Sequence, residues 1–237
     1  MEVLTVFQGF PARSGRGYLG LSAAYLLKGE RVLLYDTGGY GEREGLGARL
    51  RSLGVPPEAV EVVVLSHLHF DHAANFDLFP QAEILLHAAE LAYAEGGGDA
   101  ATLVHHLSAL RQSRLRLVEG EEELLPGVRL LHLPGHTPGL LGLEVEGVGV
   151  FCSDAIKSRF DLSGPPAPPC TDPEAALRSR ARLLGYPRLF PGHDGPLRRG
   201  AEGGFAPEGE VELSLRFPDG RGLRVILGRG GVECGWT

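Results

Sequence analysis

Residues 66–73 read Ser-His-Leu-His-Phe-Asp-His-Ala, which places His67, His69, Asp71 and His72 within six positions. Three imidazoles and a carboxylate on so short a stretch can converge on one or two cations, and these groups suit zinc and other divalent first-row metals. The plain alternative is a solvated turn that happens to be rich in His. Groups of the same chemistry recur further along the chain: His136 in Leu133-Pro134-Gly135-His136-Thr137-Pro138-Gly139, Asp154 in Ser153-Asp154-Ala155, and His193 in Pro191-Gly192-His193-Asp194. A pair of dications held by such groups lowers the pKa of water toward about 7, so hydroxide is at hand without a Ser or Cys nucleophile.

The elements around these segments predict where they sit. Residues 3–7 and 31–35 are strand-like, with the apolar run 19–27 between them and a turn at Gly29-Glu30. Leu46, Leu50 and Leu53 fall at helical spacing over 43–53, Pro56-Pro57 interrupts, and residues 60–65 form a buried-type strand. That strand runs straight into Ser66, so the His-rich string lies at its C-terminal end, where ligands gather in α/β sheets. Residues 83–86 predict a strand and 88–95 a helix ending at Gly96-Gly97-Gly98. The pattern over 100–115 predicts a helix with Asp99 as its N-cap. Strands are expected at 116–119, 128–133, 140–145 and 148–152, and a helix from Asp172-Pro173-Glu174 to about Leu184. The stretch 163–169 is a Gly- and Pro-rich loop, and the tail alternates strand-like runs at 211–217 and 223–227.

Composition narrows the classes of function. The 237 residues are 43% hydrophobic and 22% charged, ordinary for a chain that builds a sizeable core. One domain over 1–237 is expected, with a strand-like tail from about 205, because a split at the 163–169 loop would cut the candidate site. A formal charge of −7 argues against a surface devoted to nucleic-acid phosphates or anionic lipid, and no run approaches a membrane span. Cys152, Cys170 and Cys234 are odd in number and widely spaced, which excludes a disulfide framework and points to the cytoplasm. Cys152 is expected to be a buried apolar cysteine, His87 and His132 packing groups, and His105 and His106 a solvated helix face.

These motifs, in this order, resemble the metallo-β-lactamase superfamily. Tyr35-Asp36-Thr37-Gly38 is similar to its early aspartate segment, the string at 66–73 to its first His motif, and the segments at 133–139, 153–155 and 191–194 to those that follow. The resemblance implies an α/β fold, a four-layer αββα sandwich with the metals at one edge. It implies two divalent ions, zinc with iron or manganese as alternatives: His67, His69 and His136 around the first, Asp71, His72 and His193 around the second, Asp154 shared, and Asp36 behind them. The string at 66–73 and the ending Pro191-Gly192-His193-Asp194 look most like the N-acyl homoserine lactonase type. The implied activity is opening of an ester or lactone in a small molecule by a metal-bridging hydroxide, with Asp71 relaying a proton to the leaving group. Such lactonases often carry Tyr three residues past the bridging aspartate. Here Lys157 stands there, able to donate to a carbonyl oxygen or to meet an acid group. Alternatives are a thioesterase of the glyoxalase II type, a sulfur dioxygenase with one iron, and a metal-binding module without catalysis. Oligomeric state is not encoded in any of these patterns. On the ligand assignment, His69→Ala is expected to abolish turnover while far-ultraviolet circular dichroism stays unchanged, and a fully active variant is incompatible with it.

Overall fold

The computed structural model describes residues 1–237. The chain opens with β1 (Glu2–Phe7), makes a short hairpin of β2 (Arg13–Ser14) and β3 (Gly17–Tyr18), and continues through β4 (Ala24–Lys28) and β5 (Val32–Tyr35). Then come α1 (Arg43–Ser52), β6 (Val62–Val64), β7 (Glu83–His87), α2 (Ala88–Glu95), α3 (Leu107–Gln112) and β8 (Arg114–Val118). Strands β1, β4, β5, β6, β7 and β8 form one sheet in that order, antiparallel over the first three and parallel from β5 onward.

The second half contributes β9 (Glu122–Leu125), β10 (Val128–His132), β11 (Leu141–Val145), β12 (Gly149–Ser153), α4 (Pro173–Leu183), β13 (Arg188–Pro191), β14 (Leu197–Arg199) and β15 (Phe205–Pro207). These seven strands form a second sheet in reverse chain order from β15 to β9, and its one parallel pair, β12 with β13, is joined through α4. Helix α4 begins as its sequence dictates: the Asp172 carboxylate accepts the Ala175 N–H at 3.0 Å, and Pro173 fills the first turn, where no N–H partner is needed. A three-stranded sheet of β16 (Val211–Arg216), β17 (Gly222–Gly228) and β18 (Gly231–Trp236) ends the chain.

Alternation along the strands explains the layering, since successive side chains point to opposite faces. Leu26, Leu34, Val63 and Ile84 face a core shared with Leu46 and Leu50 of α1, Leu91 of α2 and Leu110 of α3. Their neighbours Leu27, Leu33, Val62, Val64 and Leu85 face the other way and meet Leu130, Leu143 and Phe151 of the second sheet. Behind that sheet Leu131, Val150, Cys152 and Leu189 pack with Leu183 of α4. Three cores between four layers make the expected αββα sandwich. Strands buried on both faces are continuously apolar, as Val62-Val63-Val64 are. No helix is long and apolar enough to cross a membrane.

The helix expected over 100–115 is mostly not one. Asp99 is not its N-cap: its carboxylate closes a local turn on Ala101 N–H at 2.8 Å, and Thr102 makes an isolated bridge to His69. The segment is thereby tied to the His-rich loop, and the helix is confined to α3. Residues 114–118, Arg-Leu-Arg-Leu-Val, then alternate with period two and pair with β7, so the strand placed at 116–119 starts two residues earlier. Strands β9, β14, β15 and β18 carry weak alternation and are visible only through their partners.

His87 closes β7 and caps α2, its Nδ1 accepting the Ala89 N–H at 3.1 Å, and its ring stacks on His132 with centroids 4.0 Å apart. Burial, reinforced by the neighbouring His132, pushes the His87 imidazole down to about 4. Between about 4 and the ordinary value near 6.5 the unfolded chain binds the proton and the folded one does not, so stability falls as pH drops through that window. His87→Asn keeps a capping group without the titration. It is expected to flatten the decline of melting temperature between pH 6.5 and 4, and an unchanged slope refutes this origin.

Candidate metal centre

All seven candidate ligands lie at one edge of the sandwich, on loops leaving the C-terminal ends of β6 (His67, His69, Asp71, His72), β12 (Asp154) and β13 (His193), and on the β10 to β11 connection (His136). His136 Nε2 lies 3.2 Å from His67 Nε2 and 3.0 Å from His69 Nδ1. His72 Nε2 lies 3.4 Å from His193 Nε2, and both are 3.3 Å from Asp154 Oδ1. Asp71 Oδ2 is 3.5 Å from His193 Nε2, while Asp154 Oδ2 is 3.2 Å from His136 Nε2. The ligand atoms thus gather into a group of His67, His69 and His136 and a group of Asp71, His72 and His193, with Asp154 touching both.

Each imidazole turns one nitrogen inward and has the other held from outside. His69 Nε2–H donates to Asp99 Oδ2 at 3.0 Å, and His72 Nδ1–H to Asp36 Oδ2 at 2.9 Å. His136 Nδ1–H donates to the Pro169 carbonyl at 2.8 Å and His193 Nδ1–H to that of Leu21 at 3.1 Å. His67 is held at one remove, its Nδ1–H donating to Ser66 Oγ at 2.9 Å, whose hydroxyl in turn donates to Asp36 Oδ2 at 2.8 Å. With each N–H spent outward, the inward nitrogens of neutral rings carry lone pairs that face one another and the Asp154 and Asp71 oxygens, an arrangement that a shared cation satisfies. Burial, with neighbouring imidazoles, holds His67 well below its usual range, and burial chiefly does the same for His136, so both remain neutral donors. Asp154 Oδ1 is buried and makes no hydrogen bond. The donor set therefore fits a divalent metal centre.

Local backbone features make the convergence possible. Asp36 and Ser153 sit at φ values of 59° and 45°, left-handed conformations that residues other than glycine adopt at a cost, and both side chains serve the cluster. The two glycines flanking His136 are required by close approach: a Cβ on Gly135 would strike Ala176 of α4, and one on Gly139 would strike Glu90 of α2. The His136 loop is wedged between two helices.

The cluster floors a cavity of about 320 Å³ walled by Phe10, Tyr18, Phe70 and Phe160. Lys157 is also in this wall, its Nζ donating to the Pro168 carbonyl at 2.8 Å and 3.8 Å from Asp154 Oδ2. The Tyr18 hydroxyl donates to the same carbonyl at 2.7 Å.

The sequence matches the metallo-beta-lactamase superfamily over residues 17–193. The chain belongs to this superfamily. Among its relatives, the N-acyl homoserine lactonase of a Bacillus species is 34% identical over 169 residues, covering 65% of this chain and 63% of the lactonase. That of Agrobacterium fabrum is 34% identical over 183 residues, covering 61% of this chain and 66% of the other. The match thus spans less than two thirds of these relatives' own length. Among solved structures, an N-acyl homoserine lactone hydrolase with its product N-hexanoyl-L-homoserine at the catalytic metal centre superimposes with a TM-score of 0.63 at 25% identity, covering 77% of this chain and 87% of the other. The quorum-quenching N-acyl homoserine lactone hydrolase gives 0.59 at 29% identity, covering 69% and 74%.

The remaining histidines lie apart from the cluster. His87 stacks on His132; His105 and His106 lie on a single 3-10 helical turn leading into α3, His105 exposed as expected and His106 half-buried with its Nε2 2.6 Å from the Tyr40 hydroxyl. Cys152 is buried in the core behind the second sheet. Reading the sequence missed Asp99, assigned to a helix cap, and Ser66. Its one signal was position, an acid just past Gly96-Gly97-Gly98 where a turn would be mobile without an anchor. Partners of this kind orient a metal-binding imidazole, and losing one weakens metal affinity about 10–100-fold. Asp99→Leu is expected to show that loss in competition with a chelator, while Asp99→Asn, which keeps an acceptor oxygen and the turn, retains most of the affinity. Equal affinity in Asp99→Leu and the parent would refute the role.

Proposed function

We propose that this protein is a metal-dependent hydrolase that opens an ester or lactone bond in a small molecule, with acyl lactones of the kind its relatives act on as the first substrates to test. The observation that carries the proposal is the convergence of five imidazoles and two carboxylates, of which His69, Asp71, His136, Asp154 and His193 line a cavity with apolar walls. His67, His69 and His136 would hold one divalent ion, Asp71, His72 and His193 a second, and Asp154 both, with zinc preferred over iron or manganese. When bound, such a pair supplies Lewis acidity and a water acidified toward neutral pH.

The protein's own groups supply the rest. The aromatic walls of Phe10, Tyr18, Phe70 and Phe160 bury the apolar part of the substrate and exclude water. Lys157 presents an ammonium, only 13% exposed, next to the cluster, where it donates to the substrate's carbonyl oxygen or meets an acid group on it. Asp71 lines the same cavity, from which its carboxylate would carry a proton to the departing alkoxide. An exposed, unpaired Cys234 suits a reducing compartment, in keeping with the cytoplasm.

Metal analysis paired with a panel of lactones, thioesters and simple esters tests the reading. Two ions per chain with lactone or ester turnover are expected, and Lys157→Met is expected to lower kcat/KM on the order of 100-fold with metal content unchanged. One iron with oxygen uptake would replace the proposal with a sulfur dioxygenase, turnover of thioesters alone with a glyoxalase II type, and bound metal without turnover with a binding module.

A further inference from the structure

Glu90, in the first turn of α2, is fully buried and has no cation beside it. Its two oxygens are spent on two backbone amides from distant parts of the chain: Oε1 accepts the Leu68 N–H at 3.0 Å and Oε2 the Gly139 N–H at 3.1 Å. Leu68 lies between His67 and His69, and Gly139 closes the loop that carries His136. Neither amide belongs to a strand or helix, because both loops leave regular structure to turn their imidazoles inward. Buried N–H groups without partners are costly, and bringing two of them together demands two acceptors and no donor between them. Among side chains only an ionised carboxylate offers that, and the α2 N-terminus around Glu90 favours its charge. Burial raises the Glu90 carboxyl, and the Thr137 hydroxyl, the Leu68 amide, the His69 ring and the Gly139 amide oppose that rise.

We infer that Glu90 is a positioning residue that clamps the His67–His69 loop to the His136 loop and so sets the spacing of the three-imidazole group. This rests on the metal-centre reading and extends it to a residue about which the ligand motif says nothing. The clamp joins both loops that carry the three-imidazole group, whereas Asp71 and His72 lie beyond its contact at Leu68 and His193 lies on another loop, so the two groups respond differently to its loss. The close packing of Gly139 on the α2 backbone at Glu90 sets the same spacing from the other side.

Glu90→Gln tests the inference, since it preserves volume but turns an amide NH2 toward one of the two N–H groups. Two readouts apply: release of zinc to a chromophoric chelator from the zinc-loaded protein, and hydrogen exchange of individual amides in the metal-free protein. Expected are release of one of two zinc ions accelerated about 10–100-fold with the other unchanged, and faster exchange at Leu68 and Gly139 over an unaltered core. Gly139→Ala, whose Cβ would press on the Glu90 backbone and Cβ and so part the loop from α2 with the carboxylate chemically intact, is expected to give the same selective release. Parental release and exchange overturn the inference, as does equal acceleration of both ions with exchange raised throughout, which marks a general structural role. A parent that takes up no zinc would defeat the functional reading instead, and exchange at Leu68 and Gly139 in Glu90→Gln then decides whether the clamp exists.

Discussion

Lone pairs forced to face one another govern this structure. Five inward ring nitrogens and the oxygens of two aspartates are held at 3.0–3.5 Å from their neighbours, all buried but His193, which is half-buried. Such an arrangement is unfavourable unless a cation fills it, so the fold must supply the restraint that the ligands oppose. It does so through the outer nitrogen of each ring, tied to Asp36, Asp99, Ser66 or a backbone carbonyl. The outer bonds choose the tautomer and the direction of every ring, so that the inner geometry is a consequence of packing already made.

Asp36 shows how far one such residue reaches. At the end of β5 its carboxylate takes the Ser66 N–H at 2.7 Å, the Ser66 hydroxyl and the His72 ring. It thereby joins the β5 end to the β6 end and orients one imidazole of each ligand group, His72 directly and His67 through Ser66. The left-handed backbone at Asp36 is the strain accepted to aim one carboxylate at all of these at once. The central strands, buried on both faces, leave the β5 and β6 ends little freedom, which is why the cost can be sustained there.

Much of this was legible in the sequence because candidate ligands announce themselves. A strand of Val62-Val63-Val64 leading into His67, and glycines on either side of His136, are local patterns, and the four layers follow from the resemblance those patterns carry. What holds the ligands is not local. Asp99 lies 30 residues from His69 and sits in a stretch whose helical periodicity extends through Leu115, so its pattern favoured a cap over an acceptor. The carbonyls of Leu21 and Pro169 have no sequence signature, since every residue carries one, and their role depends on where the 19–27 run and the Pro-rich loop come to rest. Long-range acceptors become visible only when the backbone is in place.

The same logic ties the C-terminal sheet to the site. The family match ends at His193, and the next residue, Asp194, is fully buried against the Arg159 guanidinium, with Oδ1 to Nη2 at 2.7 Å and Oδ2 to Nε at 2.8 Å. Arg159 also donates through Nη1 to the Gly228 carbonyl of β17 at 3.0 Å, and Val211 and Leu227 of the same sheet pack on Phe10 in the cavity wall. Removing either partner of a buried pair strands a charge, at a cost of about 3–5 kcal/mol. The β16 to β18 sheet is therefore bound to the loop of a candidate ligand by an ion pair and to the cavity wall by apolar contact. Its docking and the position of His193 are coupled: neither Phe10 nor the His193 loop can shift far without disturbing the sheet, although that sheet contributes no ligand of its own.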